Sequence, residues 1–166
     1  MPVSDYMRSL RDRVGTFRIL SPGVAGVILN DTGHVLLQRR SDDGRWGLPG
    51  GSIEPGEEPA ESVVREIWEE TGLRVIPVRL AGIYGGPDGF HTYPNGDEMA
   101  FIAMVFVCKV AGGGLGDHND GESLELRYFS PDSLPTVLFN RHLMFIQQAL
   151  DNQVSTFFRF SGGVTK

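Results

Sequence analysis

Glu66, Glu69 and Glu70 fall within the short segment "EIWEE". On a helix, residues three and four apart are neighbours, so these carboxylates would crowd one patch. At about 100° per residue, Ala60, Val63, Val64, Ile67 and Thr71 gather on one face, and the glutamates are rotated away from it. Like charges at that spacing repel by a few tenths of a kcal/mol per pair, on the order of 0.2–0.5. Two arrangements relieve this. One is a solvated acidic face, with Arg65 pairing to Glu69 one turn on. The other is a hard divalent cation, because carboxylate oxygens are the ligands that Mg²⁺ and Mn²⁺ prefer.

The surrounding chain must position that patch. Pro59 suits a first helical turn and Gly72 a C-terminal stop, which predicts a helix over "PAESVVREIWEET". Before it, residues 42–56 are rich in Gly and Pro and read as a loop. "GVAGVILN" and "HVLLQRR", separated by "DTG", read as a hairpin. "LRVIPVRLAGIY" reads as a strand with a bulge or edge position at Pro77. "GGPDGFHTYPNGDE" is a long loop. "MAFIAMVFVCKV" is the strongest strand signal, "SLELRYF" is another strand, and "NRHLMFIQQALD" is a closing amphipathic helix. A first helix over residues 4–14, capped by Ser4, precedes all of these, and the tail "GGVTK" is expected to fray. No linker or repeat interrupts the chain, so residues 1–166 are expected to form one domain.

The spacing around the glutamates separates the two arrangements. Gly51, Glu57, Arg65, Glu66, Glu69, Glu70 and Gly72, with aliphatic Ile67 and Leu73, match a pattern of fixed intervals over residues 51–73. At ordinary residue usage, a chance match at seven such positions is rarer than roughly one in ten million per starting point. The pattern resembles the Nudix box. The resemblance extends from about Gly23 to Pro135 through "HVLLQRR", "GRWGLPGG" and "LRYFSPDSLP". It implies an α+β fold, the Nudix α/β/α sandwich, with a mixed β-sheet between helices and the box forming loop–helix–loop.

What the resemblance implies about roles can be stated residue by residue. Glu66, Glu69 and Glu70 would hold Mg²⁺ or Mn²⁺, with a further oxygen from the Gly51 backbone carbonyl. The cation would polarise a phosphate and lower the pKa of a bound water. Glu66 or Glu69 would orient that water. Glu57 and Arg65 would pair behind these ligands and steady the loop against the helix. A carboxylate from outside the box would complete both the metal set and the catalytic set. Glu122, at a loop–strand junction, is favoured over Glu125, Asp97 and Glu98. Arg40 is the candidate phosphate contact among Arg39, Arg40 and Arg45. Trp46 and Tyr93 are candidates to stack on a base, with core filling the competing reading for Trp46. His34, His118 and His142 have no ligand spacing and receive no role.

Composition narrows the remaining classes. A net charge of −6 disfavours non-specific nucleic-acid binding, which depends on Lys and Arg neutralising phosphates. It leaves open a phosphate-bearing small substrate, since bound metal supplies positive charge. Cys108 is the only cysteine, so thiolates build no metal site and no internal disulfide forms. The charged start lacks the apolar run of a secretory signal, and no stretch is long enough to span a bilayer. These features lead to the expectation of a cytoplasmic protein without membrane association, with the first helix a possible homodimer element. The expected activity is metal-dependent hydrolysis of a phosphoanhydride in a nucleoside diphosphate linked to another moiety. The alternative is a catalytically silent nucleotide-binding sensor of the same family, and the exact substrate is left open.

Overall fold

The computed structural model describes residues 4–93, 95–118, 120–138, 140–151 and 155–158. The tail expected to fray lies outside the described residues. Helix α1 (Asp5–Val14) is capped by Ser4, whose Oγ accepts the Met7 N–H at 3.1 Å. It buries none of its own residues, so one arginine fastens it. The Arg11 guanidinium donates to the carbonyls of Gly15, Phe17 and Glu98 at 2.8–3.0 Å and pairs with Asp97 at 3.5 Å.

Strand β1 (Ile19–Ile28) runs parallel to β6 (Glu98–Gly113), and β6 runs antiparallel to β4 (Leu73–Tyr84). The short strands β5 (Phe90–Thr92) and β8 (Phe157–Phe158) extend this sheet from β6 and β4. A second sheet places β2 (Val35–Arg40) between β3 (Trp46–Gly47) and β7 (Ser123–Phe129). The expected hairpin of β1 with β2 therefore does not form. The turn is there, with Asn30 Oδ1 accepting the N–H groups of Thr32 and His34. Only Leu29 and Val35 bridge across it, however, and the two strands part into different sheets. The reason is burial: from Gly23 to Ile28 every residue of β1 is buried. A strand buried on both faces suits an interior parallel pairing better than a half-solvated hairpin. At Pro77 the β4–β6 register shifts, the expected bulge.

Alternation along the strands divides the core in two. Val27, Val35, Leu37 and Val105 pack towards Phe145 and Ile146 of helix α3 (Asn140–Leu150). Ile28, Leu36 and Cys108 pack towards Val63 and Ile67 of helix α2 (Pro59–Thr71). Each fully buried aliphatic side chain contributes roughly 1.5–3 kcal/mol. The mixed sheet thus lies between helices, an α/β/α arrangement with the glutamate-bearing helix on one face. Among the described residues, no helix is long and apolar enough to cross a membrane.

Helix α2 ends on Gly72 in the left-handed region, at φ 75°, with its N–H bonded to the Trp68 carbonyl. A Cβ on Gly72 would stand 2.6 Å from His118 N, 2.7 Å from Gly114 O and 2.8 Å from Asp117 N, all backbone. A Cβ on Gly33, at φ 78°, would meet nothing within 4 Å. Gly33→Ala is therefore expected to cost about 1 kcal/mol, the price of a left-handed alanine. Gly72→Ala should cost about 2 kcal/mol or more, because loop backbone must also move. Urea unfolding of the two variants checks the order, and equal losses would show that the loop does not press on Gly72.

Candidate active site

The loop before α2 is stitched to β1. Gly51 O accepts the Val24 N–H and Pro49 O accepts the Gly26 N–H, both at 2.9 Å. Gly50 takes φ 147°, and a Cβ there would sit 2.7 Å from the Ala25 Cα and closer still to the Val24 carbonyl oxygen. A Cβ on Gly51 would meet the Glu66 carboxylate at 2.5–2.6 Å. Both glycines are thus needed for close approach: one lets the loop lie on the strand, the other lets a helix carboxylate lie on the loop. Glu58 and Glu61 form a reciprocal capping box with Pro59 in the first turn, which starts α2 directly after this loop.

Arg65 binds the patch together. Its Nε and Nη2 donate to the two oxygens of Glu57 at 2.7 and 2.9 Å. Nη1 reaches Glu66 at 2.9 Å and Glu69 at 3.1 Å, and Nη2 also reaches the Ser52 carbonyl at 3.1 Å. The loop-to-helix pair of Glu57 with Arg65 and the helical pair of Arg65 with Glu69 therefore coexist. The hydrogen bonds from Arg65, helped by the Glu54 N–H and the Ser62 hydroxyl, hold the Glu57 carboxyl down at about 2. Glu66 moves the other way, to about 7. Burial is the main cause, and the repulsion of Glu69 and Glu122 adds to it against the pull of Arg65.

Glu70 departs from the expected helix face. It is 1% exposed and shares the buried side of α2 with Val63 and Ile67. The sequence Val63, Ile67, Glu70 steps by four and three, which is the spacing of a core stripe. Its Oε2 accepts the Gly50 N–H at 2.7 Å. Burial drives its pKa well above the usual carboxylate range, and Glu66 and Glu122 add to this, opposed by Gln38 and the Gly50 N–H.

Glu122 reaches the same neighbourhood through a clamp on the end of α2. Glu69 O accepts the Asp120 N–H at 3.1 Å and lies 2.9 Å from His118 Nδ1, and Thr71 O accepts the Gly116 N–H at 2.8 Å. The His118 ring stacks on Trp68 at 4.1 Å. His118, given no role from spacing, thus holds this loop in place. The chain then turns at Glu122, whose N–H bonds Asp120 Oδ1 at 2.9 Å and whose carbonyl accepts the Ser41 N–H at 2.8 Å. Burial and the nearby Asp120 raise the Glu122 pKa. Its rivals are engaged elsewhere: Glu125 with Arg39 and Arg127, Asp97 with Arg11, and Glu98 with Arg18.

Next to these groups, with Gly50, Gly51 and Ser52 as part of its wall, opens a cavity of about 630 Å³. Arg40 and Tyr93 line it, and Arg40 is held by both oxygens of Asp42 at 3.0 and 2.6 Å. Trp46 does not line it. The Trp46 ring is 7% exposed and packs edge-on against Phe129 at 4.8 Å, so it fills core because β3 pairs its strand onto β2. Arg141, which no spacing marks, and His142, given no role from spacing, line the cavity from α3. His142 is also structural, since its Nδ1 accepts the Leu48 N–H at 2.8 Å. Nothing in an amphipathic helix marks its first turn as a cavity wall.

A divalent cation fits this chemistry. Glu66, Glu70 and Glu122 are each partly or wholly out of water, Glu122 raises the pKa of both Glu66 and Glu70, and the loop leaves Glu66 room only because residue 51 has no Cβ. Among the described residues, no three His, Cys, Asp or Glu side chains cage a metal by themselves. Mg²⁺ does not require such a cage, because it is usually bound by one or two carboxylates with water and substrate phosphate completing the octahedron.

A family model described as the NUDIX domain matches residues 20–149. A MutT-like protein of Streptomyces ambofaciens is 35% identical over 131 residues, 79% of this chain and 77% of that protein. An ADP-ribose pyrophosphatase of Methanocaldococcus jannaschii is 38% identical over 125 residues, 73% of this chain and 69% of that one. The solved structure of a MutT protein from Methanosarcina mazei superposes with a TM-score of 0.64 at 29% identity, covering 80% of this chain and 94% of that one.

The opposed shifts of Glu57 and Glu66 give opposite pH dependences. Glu57, held below its ordinary value of 4.5, stabilises the fold above that value, and this is lost as pH falls through about 2. Glu66 contributes most below 4.5 and loses that contribution as pH rises through about 7. In chelator at about pH 8, Glu66→Gln should therefore be more stable than wild type, on the order of 1–2 kcal/mol once residual hydration is allowed for. Thermal unfolding should show the gap closing by about pH 5. A gap that does not change with pH would contradict the burial of Glu66.

Proposed function

Because the chain belongs to the NUDIX family and is a pyrophosphohydrolase, we propose that it cleaves its nucleotide diphosphate substrate only with Mg²⁺ or Mn²⁺ bound. The residues that would hold the cation are Glu66, Glu69, Glu70 and Glu122, with the Gly51 carbonyl. When bound, the cation supplies Lewis-acid polarisation of the phosphate and a more acidic water. The observation that carries this reading is the seating of two helix carboxylates on the box loop, Glu66 against Gly51 and Glu70 on the Gly50 N–H, with the charge of Glu122 raising the pKa of both. Such crowding is relieved when positive charge sits among the carboxylates.

The protein's own residues then divide the work. Arg65 and Glu57 keep the loop fixed to the helix, so Gly51 and Glu66 cannot drift apart. Glu66, whose carboxylate lies against Gly51 of the box loop, orients the attacking water and takes its proton. Glu69 is the alternative base. Arg40 contacts phosphate and Tyr93 contacts the base or sugar within the cavity. Water adds across the P–O–P bond, giving two phosphorylated products or a monophosphate and pyrophosphate. The likeness to an ADP-ribose pyrophosphatase supports a nucleoside diphosphate joined to a second moiety, ADP-ribose among them. The cavity volume of about 630 Å³ suits ligands of that size.

The test is a substrate panel of nucleoside triphosphates, nucleotide sugars, dinucleoside polyphosphates and ADP-ribose, assayed with Mg²⁺, with Mn²⁺ and in chelator. Turnover is expected only with metal. Glu70→Gln should fold and lose about a hundredfold or more in kcat, roughly 2.7 kcal/mol of barrier. Glu122→Gln should lose about tenfold or more, and Glu125→Gln and Glu98→Gln should stay near wild type. Full activity in chelator would defeat the metal reading, and an unimpaired Glu122→Gln would remove that residue from the set.

A further inference from the structure

Gln38 lies on β2 and is 1% exposed. It follows Leu36 on the strand face that packs towards α2, where the neighbours are aliphatic. An apolar side chain of similar volume would suit that space, so the amide calls for an explanation. One end is accounted for: Gln38 Oε1 accepts a hydrogen bond from Ser123 Oγ, and Ser123 is the residue after Glu122. The other end is not. Gln38 Nε2 is buried and reaches no acceptor at ordinary hydrogen-bond geometry, yet the Gln38 amide lies close enough to the Glu70 carboxylate to act on it as a weak donor and lower its pKa. The reverse orientation would turn the amide oxygen towards that carboxylate.

Glu70 Oε2 is already fixed by the Gly50 N–H. A second donor would set the rotation of the carboxylate about its last bond, and Nε2 is the buried donor at hand. Hydrogen bonds of this kind are often long in a ligand-free site and tighten when the site fills. We propose that Gln38 is a positioning residue for Glu70: its Nε2 closes onto the carboxylate when a divalent cation occupies the box. Through Ser123, the same amide ties the Glu70 position to the Glu122 segment. Helix, strand β2 and strand β7 thereby keep their carboxylates in one register. This inference rests on the metal reading above.

The experiment compares wild type, Gln38→Met and Ser123→Ala, using Mn²⁺ alone as the probe. Free Mn²⁺ is measured by electron paramagnetic resonance, alongside the melting temperature of metal-free protein and kcat and KM with the best substrate. Gln38→Met keeps volume and removes the amide. It should melt at or above the wild-type temperature, bind Mn²⁺ about tenfold more weakly, and lose about tenfold in kcat with KM changed less than about twofold. Ser123→Ala should shift Mn²⁺ affinity in the same direction by a smaller factor. Mn²⁺ affinities within about twofold of wild type in both variants overturn the proposal, whatever happens to the melting temperature. If Gln38→Met does not fold, Ser123→Ala decides on the same criterion. Wild-type protein that binds no Mn²⁺ overturns both this inference and the metal reading, whereas variants that bind like wild type overturn only the role of Gln38.

Discussion

Glu70 is taken wholly out of water with the Gly50 N–H on one oxygen and two other carboxylates close by. Isolated burial of an ionised carboxylate is prohibitive, so such a group either holds its proton or is given a positive partner. Much of the neighbouring structure answers to that constraint. Arg65 spends its guanidinium on Glu57, Glu66 and Glu69, leaving Glu70 with a backbone N–H and a neutral amide. The patch is therefore divided. Its outer half is neutralised by protein, and its inner half is left negative whenever it is ionised.

The division is maintained by backbone contacts, which hold position better than long side chains do. The Gly50–Gly51 loop is hydrogen-bonded to β1, and the loop from Gly114 to Asp120 is hydrogen-bonded to the last carbonyls of α2. Both attachments need glycine, because Gly50 lies against the β1 backbone and Gly72 faces loop backbone. The glycines of the box are thus steric terms in the same balance as its charges. Removing either would push apart elements that the carboxylates need close together.

The cavity takes its shape from the opposite face. Residues of α3, including Arg141 and His142, supply one wall and the box loop supplies another. Hydrolysis at the seam between them gives each side its own task. In the proposed function the box side would handle the reacting phosphates through its oxygen ligands. The α3 side would bear on whatever the phosphates are attached to, through residues that follow no fixed spacing.

The sequence by itself determined the box helix to its ends, the strand "SLELRYF" and an interruption at Pro77, as bulge or edge, and the motif intervals brought Glu57 and Arg65 forward as a pair through the family resemblance. Each of these follows from short-range rules: propensity, capping, alternation and fixed intervals along one chain segment. It also marked Glu122 as a candidate, from its place before a strand. Tertiary structure alone decided the partners of β1 and β2, because pairing depends on which strands are buried on both faces. It decided that Trp46 packs in the core and that Glu70 lies on the buried side of its helix, since a helical wheel shows a residue's angle and not what lies opposite. Arg141 and Gln38 were illegible for the same reason. Arg141 acquires meaning only when α3 closes over the box loop, and Gln38 only when β2 passes beneath Glu70.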